Sequence, residues 1–177
     1  MDFKTTAIIL AAGKSTRMGE PKPLLTWLGT PLILYQIKSL FGAGVDAVSV
    51  VTGHCADRIS KLVAPERATC VFNPAYALGK SSSIKAGISS VSPGTKAILL
   101  LAVDQPRPSS LIRLVINSHI ENNALISCPR YDGHGGHPLV FDTSLVGELL
   151  RVDMYPLGLR DIVKKHAAHV NWVEVDS

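Results

Sequence analysis

Apolar runs rich in β-branched residues recur along the chain at Thr6–Leu10, Ala47–Val51, Thr69–Phe72, Ala97–Val103, Ala124–Ser127 and Val170–Val175. Between most of them the apolar positions fall three and four apart, the spacing of a helix with one buried face. One such helix is expected near Pro31, carrying Leu34, Ile37, Lys38 and Phe41 and ending at Gly42 or Gly44. Others are expected at about Ala56–Val63, Ser82–Ser90, Pro108–Asn122 and Asp161–Ala168. Strands that alternate with helices predict right-handed βαβ units, hence an α/β fold in three layers, with a mainly parallel sheet flanked by helices. Ile98–Leu101 is apolar at every position, as a strand covered on both faces should be.

The regularity breaks at 128–142. Tyr131-Asp-Gly-His-Gly-Gly-His-Pro138 carries three glycines and a proline before the strand-like Leu139-Val-Phe141, which predicts a small loop or hairpin insertion. Neither an internal repeat nor a linker interrupts the chain, so a single domain over 1–177 is expected. In open parallel sheets ligands bind beyond the carboxyl ends of the strands, which directs attention to the loops after Leu10, Phe72 and Val103.

Composition narrows the function classes. The longest purely apolar run, Ala97–Val103, has seven residues, against the roughly 20 that a membrane-spanning helix needs. The run Ala7–Ala12 is too short for a secretory signal, so a cytoplasmic location is expected. A net charge of +4 is spread along the chain without aromatic interleaving, which disfavours nucleic acid and suits a small anionic ligand. Three well-separated cysteines, Cys55, Cys70 and Cys128, fit neither a disulfide framework nor a CxxC zinc site and are expected to be reduced and buried. Cys128, Asp132, His134 and His137 likewise match no standard zinc spacing. His119, His166 and His169 are expected on polar helix faces or at an element end.

The segment Leu10-Ala-Ala-Gly-Lys-Ser-Thr-Arg-Met-Gly-Glu-Pro-Lys-Pro-Leu-Leu25 is the most informative. It is not a Walker A loop, because Ile8 stands where the first glycine is required, and it has too few glycines for a dinucleotide fingerprint. Small residues at Ala11, Ala12 and Gly13 still let backbone N–H groups approach a polyphosphate, with Arg17 and Lys22 as cations. An ordinary βα turn with solvated basic residues is the plainer alternative. Asp104, before Pro106 and Pro108, suits either a metal site at a strand end or a turn. Ser81, Ser82 and Ser83 suit a helix cap, at an N-terminus that also favours phosphate. Asn73 before Pro74 is as well suited to a turn as to a ligand.

This segment resembles the signature of the MobA-like nucleotidyltransferases, particularly the branch that transfers CMP to the molybdenum cofactor. The resemblance continues in order through Val51-Thr-Gly53, Asn73, Gly79-Lys-Ser-Ser-Ser83, Asp104-Gln-Pro106, Gly136-His-Pro138 and Gly158-Leu-Arg160. It implies a Rossmann-like nucleotidyltransferase fold in which Leu10, Ala11, Ala12 and Gly13 wrap the nucleotide. Arg17 and Lys22 would act catalytically on its phosphates, and Asn73, Gly79 and Ser83 would help to hold base and ribose. Asp104 would be catalytic as the ligand of magnesium, with manganese as a substitute. Gly136 and His137 would face the acceptor, a pterin phosphate in this family, and a molybdenum hydroxylase would receive the product. CTP is favoured over GTP or another NTP because Ala12 and Ser15 stand where the GTP branch has glycines.

Three departures stand out. The family pattern continues into an Asp-x-Asp-Thr-Pro-Glu-Asp segment whose acidic residues complete the metal site, whereas this sequence reads Val175-Asp-Ser177. Lys80 replaces a hydrophobic residue, and Ala-Val-Asp-Gln-Pro106 replaces the commoner Gly-Asp-Gln-Pro. The alternatives to a pterin cytidylyltransferase are therefore an accessory protein that binds nucleotide or cofactor without catalysis, and a transferase for another phosphorylated acceptor.

Overall fold

A computed structural model describes residues 3–14 and 19–176. The N-terminal run forms strand β1 (Lys4–Leu10), and a short antiparallel ribbon, β2 (Thr26–Trp27) with β3 (Thr30–Pro31), leads into helix α1 (Leu32–Gly42). Then come β4 (Ala47–Thr52), α2 (Ala56–Val63), β5 (Thr69–Phe72), α3 (Lys80–Ser89), β6 (Thr95–Ala102) and α4 (Ser109–Glu121). The last third holds β7 (Ile126–Tyr131), β8 (His134–Gly135), β9 (Leu139–Asp142), α5 (Val146–Leu149), α6 (Leu159–Lys165) and β10 (Val170–Glu174). The expected strands and helices are all present, with ends shifted by a few residues.

The main sheet runs β10-β7-β9-β6-β1-β4-β5, with β8 paired to β7. β1 is flanked by β4 and β6, both parallel to it, while β9 lies antiparallel between β6 and β7. The expected hairpin insertion is thus partly a full member of the sheet. Leu139, Val140 and Phe141 are apolar enough to be covered on both faces, and all three are buried.

Alternation along the strands splits the core into two layers. Ala7 and Ile9 of β1 and Leu99 and Leu101 of β6 face α1, α2 and α4. Ile8, Leu10, Ile98 and Leu100 face α3, α5 and α6. Ile8, Ile9 and Ile98–Leu101 are all but inaccessible to solvent, and each contributes roughly 1.5–3 kcal/mol by burial. Helix α3 comes especially close to the sheet: a Cβ on Gly87 would lie 2.5 Å from Ile8 Cγ2.

Polar residues also sit inside these layers. His119, expected on a polar face, is instead buried on the stripe with Ile112, Val115 and Ile116, its Nδ1 2.9 Å from Ser127 Oγ. Burial pushes its pKa down. Of the cysteines, all free, Cys128 is buried but Cys55 and Cys70 are half-exposed, because their strand and loop lie toward the β5 edge of the sheet. Among the described residues no helix is long and apolar enough to cross a membrane.

Candidate active site

The register aligns the carboxyl ends of the central strands, pairing Leu10 with Val51 on one side and with Ala102 on the other. Beyond these ends the chain stays stitched together. Ala11 N donates to Val51 O (2.9 Å), His54 N to Ala12 O (3.1 Å) and Val103 N to Leu10 O (3.2 Å). Leu10, Ala11, Ala12 and Gly13 consequently form one wall of a cavity of about 450 Å³. Gly53 passes close behind this wall, where a Cβ would meet the Cβ of Tyr76 at 2.5 Å and that of Ala12 at 3.0 Å.

The opposite wall is the start of α3. Gly79 has φ +107°, a conformation that favours glycine, and the helix begins at the next residue with no side-chain cap. Its first N–H groups therefore remain available to an anion. Gly79 and Ser83 line the cavity. The serines do not cap, as their sequence position had suggested: Ser82 Oγ is 2.8 Å from Gly79 O and 2.9 Å from Ala75 O. Asn73 is buried behind this wall and does not line the cavity. Its amide donates to Ser82 Oγ (2.9 Å) and Ser83 Oγ (3.1 Å) and accepts from Ala75 N (3.0 Å). Through these bonds Asn73 is joined to Ser83, which lines the cavity.

Lys22 and Asp104 close the cavity from the third side. Lys22 lies on a 3₁₀ turn, Lys22–Leu24, and its Nζ is 2.7 Å from Asp104 Oδ2. Partial burial raises the pKa of Asp104, but the Lys22 bond and charge, a backbone hydrogen bond and the charge of Lys80 outweigh it, so the carboxyl is held below its ordinary value. The turn bearing Asp104 is fixed from beneath by Gln36, fully buried on α1, whose Nε2 donates to Ala102 O (3.0 Å) and Val103 O (2.9 Å). Sequence reasoning passed over Gln36, although it falls at helical spacing with the buried Ile33, Ile37 and Leu40. Arg17 and Ser15 lie outside the described residues.

A second cavity, of about 820 Å³, adjoins the first and shares Lys80 with it. Gly136 and His137 line it, as do Arg107 and Arg160, and among the described residues no aspartate or glutamate does. Arg107 Nε donates to His137 O (2.9 Å), which ties the insertion to the segment after Asp104. Burial, and then the charge of Lys80, keep the His137 imidazole below its ordinary pKa, despite a backbone hydrogen bond at Leu100 that works the other way. Its Nδ1 is buried with no partner among the described residues. A third hollow, of about 690 Å³, continues past Arg107 and His137 toward Leu111, Leu114 and Tyr131.

A single-carboxylate site suits magnesium or manganese bound mainly by nucleotide phosphates and water. The part-exposed Asp104 carboxylate at the cavity edge fits that donor set, and the described residues contain no group of three or more His, Cys, Asp or Glu side chains that would form a protein cage.

The family model for the MobA-like NTP transferase domain matches residues 7–170. The chain belongs to this family. Among relatives of this MobA-like chain, a 2-aminoethylphosphonate cytidylyltransferase of Lancefieldella rimae is 32% identical over 166 residues, covering 84% of this chain and 61% of that protein. The molybdenum cofactor cytidylyltransferase of Escherichia coli K12 is 31% identical over 134 residues, 75% of this chain and 67% of its own length. The chain therefore spans less than two thirds of the first of these relatives. Among solved structures, Rv0371c from Mycobacterium tuberculosis H37Rv superposes with a TM-score of 0.86 at 26% identity, over 99% of this chain and 89% of that one. Its complex with manganese gives a TM-score of 0.81 at the same identity, over 98% and 89%. The fold is accordingly the Rossmann-like fold of nucleotidyltransferases.

Proposed function

We propose that this protein transfers CMP from CTP to the terminal phosphate of a molybdopterin-type acceptor and releases pyrophosphate. Membership of the MobA-like family supports the reaction type, and two relatives named as cytidylyltransferases support CTP. The observation that carries the acceptor class is the second cavity, whose described lining has three cations and no carboxylate, beside the nucleotide-sized one. An aminoalkylphosphonate brings an ammonium that seeks a carboxylate, and it would leave most of an 820 Å³ space empty. A ring-bearing phosphate fills more of that volume, with Lys80, Arg107 and Arg160 to meet its charge and Leu139, Leu159 and Trp172 to meet its ring.

In this reading the Leu10–Gly13 backbone and the N-terminus of α3 hold the triphosphate, with Lys22 against its phosphates. A divalent metal held by Asp104 would add charge neutralisation on the departing pyrophosphate. The cations of the second cavity orient the acceptor phosphate toward the α-phosphorus, so that two anions meet in line; such positioning and electrostatic stabilisation account for most of the rate in phosphoryl-type transfers. Burial keeps the His137 imidazole below its ordinary pKa, so it adds no fixed positive charge beside the acceptor.

The test is pyrophosphate release from CTP and magnesium with molybdenum cofactor, with 2-aminoethylphosphonate, or with no acceptor. The proposal requires release that depends on the cofactor. Release with the aminoalkylphosphonate alone would overturn the acceptor, and release with neither would overturn the reaction.

A further inference from the structure

Lys80 stands at the boundary of the two cavities and lines both. It is the first residue of α3, and among the described residues it makes no ion pair, whereas Lys85 on the same helix is tied to Asp153 at 2.9 Å. Its charge is felt on both sides of the boundary, lowering the pKa of Asp104 in one cavity and of His137 in the other. Arg107, another cation lining the second cavity, is engaged with the carbonyls of His137 and Pro106. A flexible lysine with a compact charge and three donors is suited to follow two anionic groups as they close on each other.

We propose that Lys80 is the bridging cation of the transfer, its ammonium held by the acceptor's phosphoryl oxygens and reaching the α-phosphate of the nucleotide only as the two anions close on each other. The inference rests on the nucleotidyltransferase reading above and adds a residue that the resemblance did not assign. In the step it serves, an oxygen of the acceptor phosphate forms a new bond to the α-phosphorus. The bond from that phosphorus to the α,β-bridging oxygen breaks, and its electron pair leaves with pyrophosphate. A phosphate monoester is largely dianionic near neutral pH, with a second pKa of about 6, so no proton has to be removed from the nucleophile. The obstacle is repulsion between the two anions, which Lys80 relieves where they meet.

Two measurements test this, one kinetic and one at equilibrium. Lys80→Met keeps the length of the side chain and removes the charge at an exposed first-turn position. It should raise the KM for molybdenum cofactor at least tenfold while the KM for CTP changes less than twofold, and Lys80→Arg should recover most of the loss. In the second, methylphosphonate, a minimal mimic of the acceptor's phosphoryl group, is titrated into protein already filled with α,β-methylene-CTP and followed by NMR. Lys80→Met should weaken methylphosphonate binding at least tenfold and leave binding of the nucleotide analogue within twofold. Wild-type protein that binds neither probe would overturn the nucleotidyltransferase reading and this proposal with it. Wild type that takes the analogue but not methylphosphonate, or a Met variant that binds both as tightly as wild type, overturns the role of Lys80 alone. Equal weakening toward both probes would make Lys80 a triphosphate ligand and also contradict the proposal.

Discussion

Lys22 Nζ and Asp104 Oδ2 lie 2.7 Å apart although 82 positions separate them in the chain. Their side chains are 35% and 45% exposed, so the pair gains little from its attraction in water, about 0–1 kcal/mol. Its value is chemical: the carboxylate is kept ionised at a cavity edge and the ammonium is held where phosphate oxygens would lie. Asp104→Asn should therefore shift the melting temperature by less than about 4 °C. Calorimetry that showed a loss above 10 °C would place Asp104 in the framework of the fold.

Gln36 presents the opposite balance. Replacing it by Met removes the donor to the buried Val103 carbonyl but also removes Gln36 Oε1, which is buried without a partner among the described residues. The two effects partly cancel, leaving a net cost of about 0–2 kcal/mol. The turn that carries Asp104 loses its anchor, and small displacements of reacting groups cost rate steeply. We expect Gln36→Met to lower kcat at least tenfold while the melting temperature falls by no more than about 8 °C. Unchanged kcat would show that the turn holds its shape without Gln36.

Glu148 gives the stability a signature in pH. It accepts from Tyr155 Oη (2.5 Å) and Lys165 Nζ (2.6 Å), and its other oxygen lies 2.8 Å from His166 Nε2. Desolvation raises its pKa, but the bonds from Lys165, Tyr155 and His166 prevail and hold it at about 2, down from an ordinary 4.5. A folded pKa below the unfolded one means stabilisation that is complete above about 4.5 and lost as the pH falls toward 2. Glu148→Gln should melt several degrees below wild type at pH 7, with the gap closing between pH 4.5 and 2. A gap independent of pH would assign Glu148 a packing role.

What could be read from the sequence follows physical lines. The central strands were legible because Ile8–Leu10 and Ile98–Leu101 are apolar on both faces, and a glycine-containing loop after the first of them pointed to an anion. The stripe expected for α1 through Leu34, Lys38 and Phe41 is not its buried face, which runs through Leu32, Ile33, Gln36, Ile37 and Leu40 with Lys38 exposed, because a polar Gln36 hid the true phase; His119 was likewise masked by its polar character on the buried stripe of α4. The place of β9 between β6 and β7 was not legible, since three apolar residues after a glycine-rich loop specify a strand but not its partners. Asn73 was ambiguous because an Asn-Pro turn and a ligand contact look alike in one dimension. The meeting of Lys80, Arg107, Arg160 and His137 in one cavity joins residues from four different segments, which only the tertiary structure assembles.

The central claim is that nucleotidyl transfer occurs in the cavity that Asp104 lines, next to its boundary with the second cavity at Lys80. Its most direct measurement is transfer of label from α-labelled CTP to molybdenum cofactor, followed together with pyrophosphate in wild type and Asp104→Asn. The account predicts one labelled product per pyrophosphate in wild type, and a loss of at least a hundredfold in the variant, consistent with several kcal/mol of transition-state stabilisation. Equal transfer by wild type and variant, with the variant folded, would contradict it.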